Sequence, residues 1–147
     1  MQRNQLATAK NDEAIELALL QKLAERLPND IDILQALAEL YTKNKLIEAG
    51  LAVDQRLAQL APRDETVWYN LACSYALMDQ IDEAFEALSK AIDFGYRDYE
   101  WMKSDTDLDS LREDKRYKSL LGYIFSQYDS RCNHSTGASN MRCCVGD

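Results

Sequence analysis

The feature that most restricts this chain is a repeat of 34 residues: Pro28-Asn29-Asp30 returns as Pro62-Arg63-Asp64 and again as Tyr96-Arg97-Asp98. A period of that size implies units that cannot each bury an apolar face alone and must stack on one another. After the first two marks, apolar residues recur at helical spacing: Leu34, Leu37, Ala38 and Tyr41, then Trp68, Leu71, Ala72 and Tyr75. Asp30 and Asp64 stand where a carboxylate can accept from the free amides of a first helical turn, and Pro28 and Pro62 stop the helix before them. A second apolar series follows a break at Lys43-Asn44-Lys45 or Met78-Asp79-Gln80. It runs Ile47, Gly50, Val53, Leu57 and Leu60 in one unit, and Ile81, Ala84, Leu88, Ala91 and Ile92 in the other. Each unit therefore reads as a helical hairpin, with the small residues Gly50 and Ala84 expected where its two helices approach closely.

Trp68-x2-Leu71-Ala72-x2-Tyr75, followed by Ala84-x3-Leu88, resembles the tetratricopeptide repeat (TPR) signature. Residues 65–98 follow it best, with Ala72 in the glycine position, Leu88 in the phenylalanine position and Tyr96 replacing the closing proline. Residues 31–64 keep Pro62 but place Asp54 where a large apolar residue is usual, which predicts looser packing of that helix. The resemblance implies an all-α fold: antiparallel helical hairpins stacked as a short right-handed TPR superhelix with a C-terminal capping helix. Within a domain over 1–128 it implies a partial repeat at 1–30, repeats at 31–64 and 65–98, and an acidic turn and capping helix at 99–128. In the partial repeat, Glu13 to Leu27 reads as a second helix, leaving Met1 to Lys10 for its partner. Residues 129–147 are expected to be a flexible Cys-containing tail.

The repeat is expected to stop after Met102, because Asp105 and Asp109 fall where the leucine and tyrosine of a first helix are required. Asp105, Asp107 and Asp109 alternate as in a calcium loop, but Ser110 and Arg116 occupy the positions that need glycine and glutamate. The stretch is read instead as short helices capped by Asp105 and Asp109, with Leu108 and Leu111 tucked inward, similar to the ending of many bacterial TPR arrays. Tyr117, Leu120, Leu121 and Ile124 make one apolar stripe from Lys115 to Gln127, with Phe125 and Tyr128 alongside. That stripe is expected to lie across Ile81 to Phe94 and close the array; left exposed, it would form a homodimer through 115–128.

On the first helix of each unit, the flank away from the core carries Asp32, Gln35, Glu39 and Lys43, then Thr66, Tyr69, Asn70, Cys73 and Leu77. The resemblance implies that these flanks line the concave, peptide-holding side of the superhelix. Tyr69 is the first choice of anchor; packing under the C-terminal helix is the equal alternative for Tyr69 and Leu77. One subclass of the family grips the carboxylate of chaperone tails with lysine, arginine and asparagine. Only Asn70 matches here, since Gln35, Glu39, Glu100 and Ser104 replace the residues that clamp needs. With Asp32, Glu39 and Glu100 available, the expected partner is a protein or peptide carrying basic and apolar residues.

A net charge of -8 argues against nucleic acid and anionic membrane surfaces as partners. No apolar run approaches a bilayer span, and three of the four cysteines crowd the last residues rather than stapling a secreted domain. A reducing, cytoplasmic setting follows as the expectation. The single histidine, His134, lies in the tail, and no phosphate-cradling glycine loop is present, so neither an enzyme nor a cofactor is expected. A zinc site from Cys132, His134, Cys143 and Cys144 is the alternative, although adjacent cysteines strain a tetrahedral shell. Cys144-Val-Gly-Asp has the position of a prenylation box but ends in an unusual residue.

Overall fold

A computed structural model describes residues 2–133, and every regular element in it is helical: α1 (Gln2–Arg26), α2 (Ile31–Lys43), α3 (Ile47–Leu60), α4 (Glu65–Leu77), α5 (Ile81–Phe94), α6 (Tyr99–Ser104), a 3-10 helix (Thr106–Leu111) and α7 (Lys115–Asn133). The repeat governs the backbone closely. Asp30 accepts from Ile33 N at 3.1 Å, Asp64 from Val67 N at 3.1 Å and Asp98 from Trp101 N at 3.0 Å, so all three aspartates cap a helix at the same offset. The hairpin turns match as well: Lys45 and Asp79 both take a left-handed conformation, with φ of 59° and 55°. Each turn is closed by an amide bonded to the carbonyl of the repeat tyrosine before it, Leu46 N to Tyr41 O at 2.8 Å and Gln80 N to Tyr75 O at 2.9 Å.

The chain continues this frame further than its side chains suggest. First helices begin at Ile31, Glu65 and Tyr99, and second helices at Ile47, Ile81 and Lys115, so residues 99–133 form a third unit rather than the end of the repeat. What fails is its first helix. Asp105 occupies the place of the buried Leu71, and a carboxylate cannot enter that apolar layer unpaired. The chain instead leaves α6 at Ser104, and Asp105 Oδ1 caps the following 3-10 helix by accepting from Asp107 N at 3.0 Å. The carbonyls released by this break are satisfied: Tyr117 Oη donates to Met102 O at 2.6 Å, and the Arg112 guanidinium donates to the carbonyls of Lys103 and Asp105. Leu108 and Leu111 turn inward and are wholly buried, as is Met102. Asp109 is not a cap; it accepts from Arg112 Nε at 2.5 Å.

At the other end, the expected two-helix partial repeat is one continuous helix of 25 residues. Nothing between Lys10 and Glu13 breaks it, since the stretch holds neither glycine nor proline. Its second half still occupies the place of a second helix: Gln21 Nε2 donates to Tyr41 Oη at 3.0 Å, as Gln55 Nε2 does to Tyr75 Oη at 3.1 Å. On its other face, Ile15 and Leu19 are 60% and 56% exposed.

The closing helix α7 packs on α6 and α5, with Tyr117 and Ile124 buried and Leu120 and Leu121 partly so. Arg116 lies 4.2 Å from the Phe85 ring and pairs with Asp82 at 2.7 Å, fixing the start of α7 on α5. The helix runs to Asn133, so the tail expected from residue 129 begins as helix.

The helix pairs do not require glycine where they meet. Ala84 is fully buried, and a Cβ placed on Gly50 would stand 3.5 Å from Thr42 Oγ1 and Tyr41 Cβ, an ordinary contact. Gly50→Ala is therefore expected to stabilise the fold by about 0.5–1 kcal/mol through the lost freedom of the unfolded chain, read as a higher midpoint in urea at unchanged slope.

Candidate functional site

A groove of about 620 Å³ runs between α2 and α4 and ends against the third unit. Eight residues expected on the concave flank line it: Gln35, Glu39 and Lys43 from α2, and Thr66, Tyr69, Asn70, Cys73 and Leu77 from α4. Asp32, on the first turn of α2, lies outside it. Its floor includes Asp54 and Leu57 of α3, and its far wall is Trp101, Asp105 and Asp107. None of the three is among the flank residues expected from the sequence; Asp105 and Asp107 reach the groove because the chain leaves α6 at Ser104 and its 3-10 helix packs on α4.

That wall changes the role of Tyr69. The ring is buried, stacked on Tyr96 with centroids 4.2 Å apart and planes 9° from parallel, and its hydroxyl donates to Asp105 Oδ2 at 2.7 Å. Cys73 is also buried, with its Sγ 3.7 Å from the same oxygen. Burial, reinforced by neighbouring Cys73 and Asp105, holds the Tyr69 phenol far above its ordinary range, and burial beside Asp105 likewise keeps Cys73 a thiol. Tyr69 thus packs under Tyr96 and the acidic turn, not under the C-terminal helix, and it braces the groove from below. The exposed apolar groups at the rim are Trp101, 59% exposed, and Leu77, 36% exposed.

The groove is acidic. Glu39, Asp54, Asp105 and Asp107 face it, against one lysine, Lys43, whose ammonium is already paired with Glu13 of α1 at 2.7 Å. That bond raises the Lys43 pKa above its usual value. Burial, then the charges of Asp105 and Asp109, raises Asp107 above the ordinary carboxylate range. Asp54 is 3% exposed, and its Oδ2 accepts from Ser74 Oγ at 2.5 Å. Burial pushes its pKa up to about 6 against the opposing pull of that hydrogen bond. The α2–α3 pair packs less extensively than α4–α5, as expected, yet no gap opens at Asp54 itself: Leu57 and Ala58 beside it are buried, and Ser74 supplies the polar partner.

Among the described residues, no cluster of three or more His, Cys, Asp or Glu side chains is placed to hold a metal ion. The three alternating aspartates spread over a cap, a groove wall and an ion pair, not one shell. The zinc set and the prenylation-like ending fall on residues outside those whose side chains are described. A second depression, of about 380 Å³, lies on the other side between α3, α4 and α5; there Trp68 is covered by Lys90, whose ammonium is 4.5 Å from the ring centroid and 3.0 Å from Glu86.

Helical hairpins stacked at a period of 34 residues define a TPR-type repeat array. The chain belongs to the ChAPs family (Chs5p-Arf1p-binding proteins), whose family model matches residues 1–116. A chloroplastic protein of Arabidopsis thaliana is 30% identical over 105 residues; the match takes in 69% of this chain but only 31% of that protein. The fold is that of MamA: one crystal structure superposes with a TM-score of 0.66 at 19% identity, covering 81% of this chain and 70% of that one. A MamA double mutant gives 0.67 at 18% identity, covering 84% and 70%. None of the described helices is long and apolar enough to cross a membrane.

Proposed function

We propose that this chain is a protein-binding module that holds a basic, apolar segment of a partner in the groove between α2 and α4, and that it has no catalytic role of its own. The observation that carries this reading is the groove itself, in which the carboxylates of Glu39, Asp105 and Asp107 flank the half-exposed Trp101 and Leu77. Carboxylates around an apolar anchor suit a segment with lysine or arginine beside leucine-like side chains, steered by charge and fixed by burial. The family name, which records binding to Chs5p and Arf1p, supports a protein partner rather than a small molecule. A reducing, cytoplasmic setting belongs to the same proposal and rests on the thiol pattern; the chloroplastic address is that of the plant relative.

Fluorescence anisotropy with a labelled amphipathic peptide of lysines and leucines tests the reading, with a glutamate-for-lysine peptide as control. Glu39→Lys and Trp101→Ala are each expected to weaken binding of the basic peptide by about tenfold or more. Equal affinity for the acidic control, or no loss in either variant, would overturn it.

A further inference from the structure

The floor of the groove holds a buried carboxylate where the next unit is apolar. Asp54 and Ser74 stand at the repeat positions of the fully buried Leu88 and Leu108, so a polar pair replaces an apolar one. One oxygen, Oδ2, is taken by the Ser74 hydroxyl; the other accepts no hydrogen bond from any described residue. Yet among the described residues no side-chain oxygen or nitrogen is both sealed from solvent and unpartnered. Oδ1 of Asp54 therefore keeps a small contact with solvent, and the groove is the cavity that the residue lines. A carboxylate so placed is destabilising for the free protein and becomes favourable only when a donor reaches it.

We propose that Asp54 is the base of a lysine subsite: the ammonium of one partner lysine descends between α2 and α4 and donates to Asp54 Oδ1. This rests on the groove reading above and gives it a specificity-determining residue. The geometry favours lysine over arginine. With Ser74 holding one oxygen, the carboxylate offers a single acceptor, which matches a compact ammonium and denies the paired contact that a guanidinium fork makes with both oxygens. Asn70, exposed on the wall one turn before Ser74, offers an oxygen for a further ammonium hydrogen.

The subsite carries its own pH signature. The Asp54 carboxylate forms as pH rises through about 6, so lysine binding strengthens between pH 5 and 7, about the range over which the group ionises. Glu39 and Lys43 on α2, Tyr69 and Cys73 on α4, and Asp105 and Asp107 of the third unit also face the groove. The part of the profile due to Asp54 is the part that Asp54→Asn removes.

The experiment uses the full chain and three peptides differing at one site, lysine, arginine or norleucine, set among leucines and other lysines. Wild type is expected to bind the lysine peptide about tenfold or more tightly than the norleucine peptide, and more tightly than the arginine one. Asp54→Asn should level the three and flatten the rise between pH 5 and 7. Ser74→Ala, which removes the bond that lowers the Asp54 pKa, should move that rise to higher pH. If wild type binds the peptides but Asp54→Asn discriminates among them as wild type does, the subsite is overturned and the groove stands. If wild type binds none of them, both readings fall.

Discussion

Asp54→Asn is expected to raise the melting temperature by about 5–10 °C at pH 7.5 and to leave it nearly unchanged at pH 3. The sign follows from the direction of the shift. The folded pKa of about 6 lies above the unfolded value of 3.8, so folding favours the protonated acid. At pH 3 the group is protonated in both states and adds no penalty. As pH rises from about 4 to 6 the unfolded chain releases its proton first, and above 6 the full cost of an ionised buried carboxylate, about 3 kcal/mol, weighs on the fold. Asparagine keeps an oxygen for Ser74 and carries no charge, so it removes the penalty without opening a cavity. Urea melts of both proteins across pH 3 to 8 decide the point: the stability gap should open between 4 and 6. A gap of constant size, or a variant less stable at pH 7.5, would show that Asp54 is accommodated without cost. The expected gain also separates the lysine subsite from misfolding, because a more stable protein that loses lysine selectivity has lost a contact.

Leu108→Ala is expected to cost about 3 kcal/mol or more, the usual penalty for emptying a fully buried leucine. Leu108 belongs to the 3-10 helix beneath α4 and stands where Ser74 stands one repeat earlier. If residues 99–133 are a structural third unit, as the helix starts at Tyr99 and Lys115 indicate, removing this side chain loosens the lid over Tyr69 and Cys73 together with the end of the array. Thermal melting and the reactivity of Cys73 toward a thiol reagent should report the loss together. A cost below about 1 kcal/mol with Cys73 still protected would mean that the acidic turn is a loose appendage.

The hairpins were legible in the sequence because their determinants are local: capping aspartates, the 3.6-residue apolar spacing and the turn breaks each act within a few residues. The closing helix was legible in the same way, from a stripe wide enough to demand cover. The third unit was not, since Asp105 and Asp109 erase the side-chain pattern while the backbone frame survives through Asp98 and the start of α7. That survival depends on Arg112 and Tyr117 bonding carbonyls that a regular helix would have kept for itself. The burial of Tyr69 was hidden for a related reason. Its cover comes from Tyr96 and Asp105, 27 and 36 residues away, and helical phase places Tyr69 on the open flank without saying what folds over it. Asp54 was legible as an anomaly in the repeat; its pairing with Ser74, 20 residues on, needed the packing of α3 against α4. The apolar contact at the groove rim accordingly moves from Tyr69 to Trp101 and Leu77.

The most direct test of the groove is a titration of the isotope-labelled chain with the lysine-leucine peptide, followed by amide chemical shifts. The shifts are expected to concentrate at Glu39, Thr66, Asn70, Leu77 and Trp101, on both walls of one groove and saturating together. Shifts confined to the opposite face around Trp68, Glu83 and Lys90, or an unperturbed spectrum at saturating peptide, would contradict the assignment of this face as the place where a partner is held.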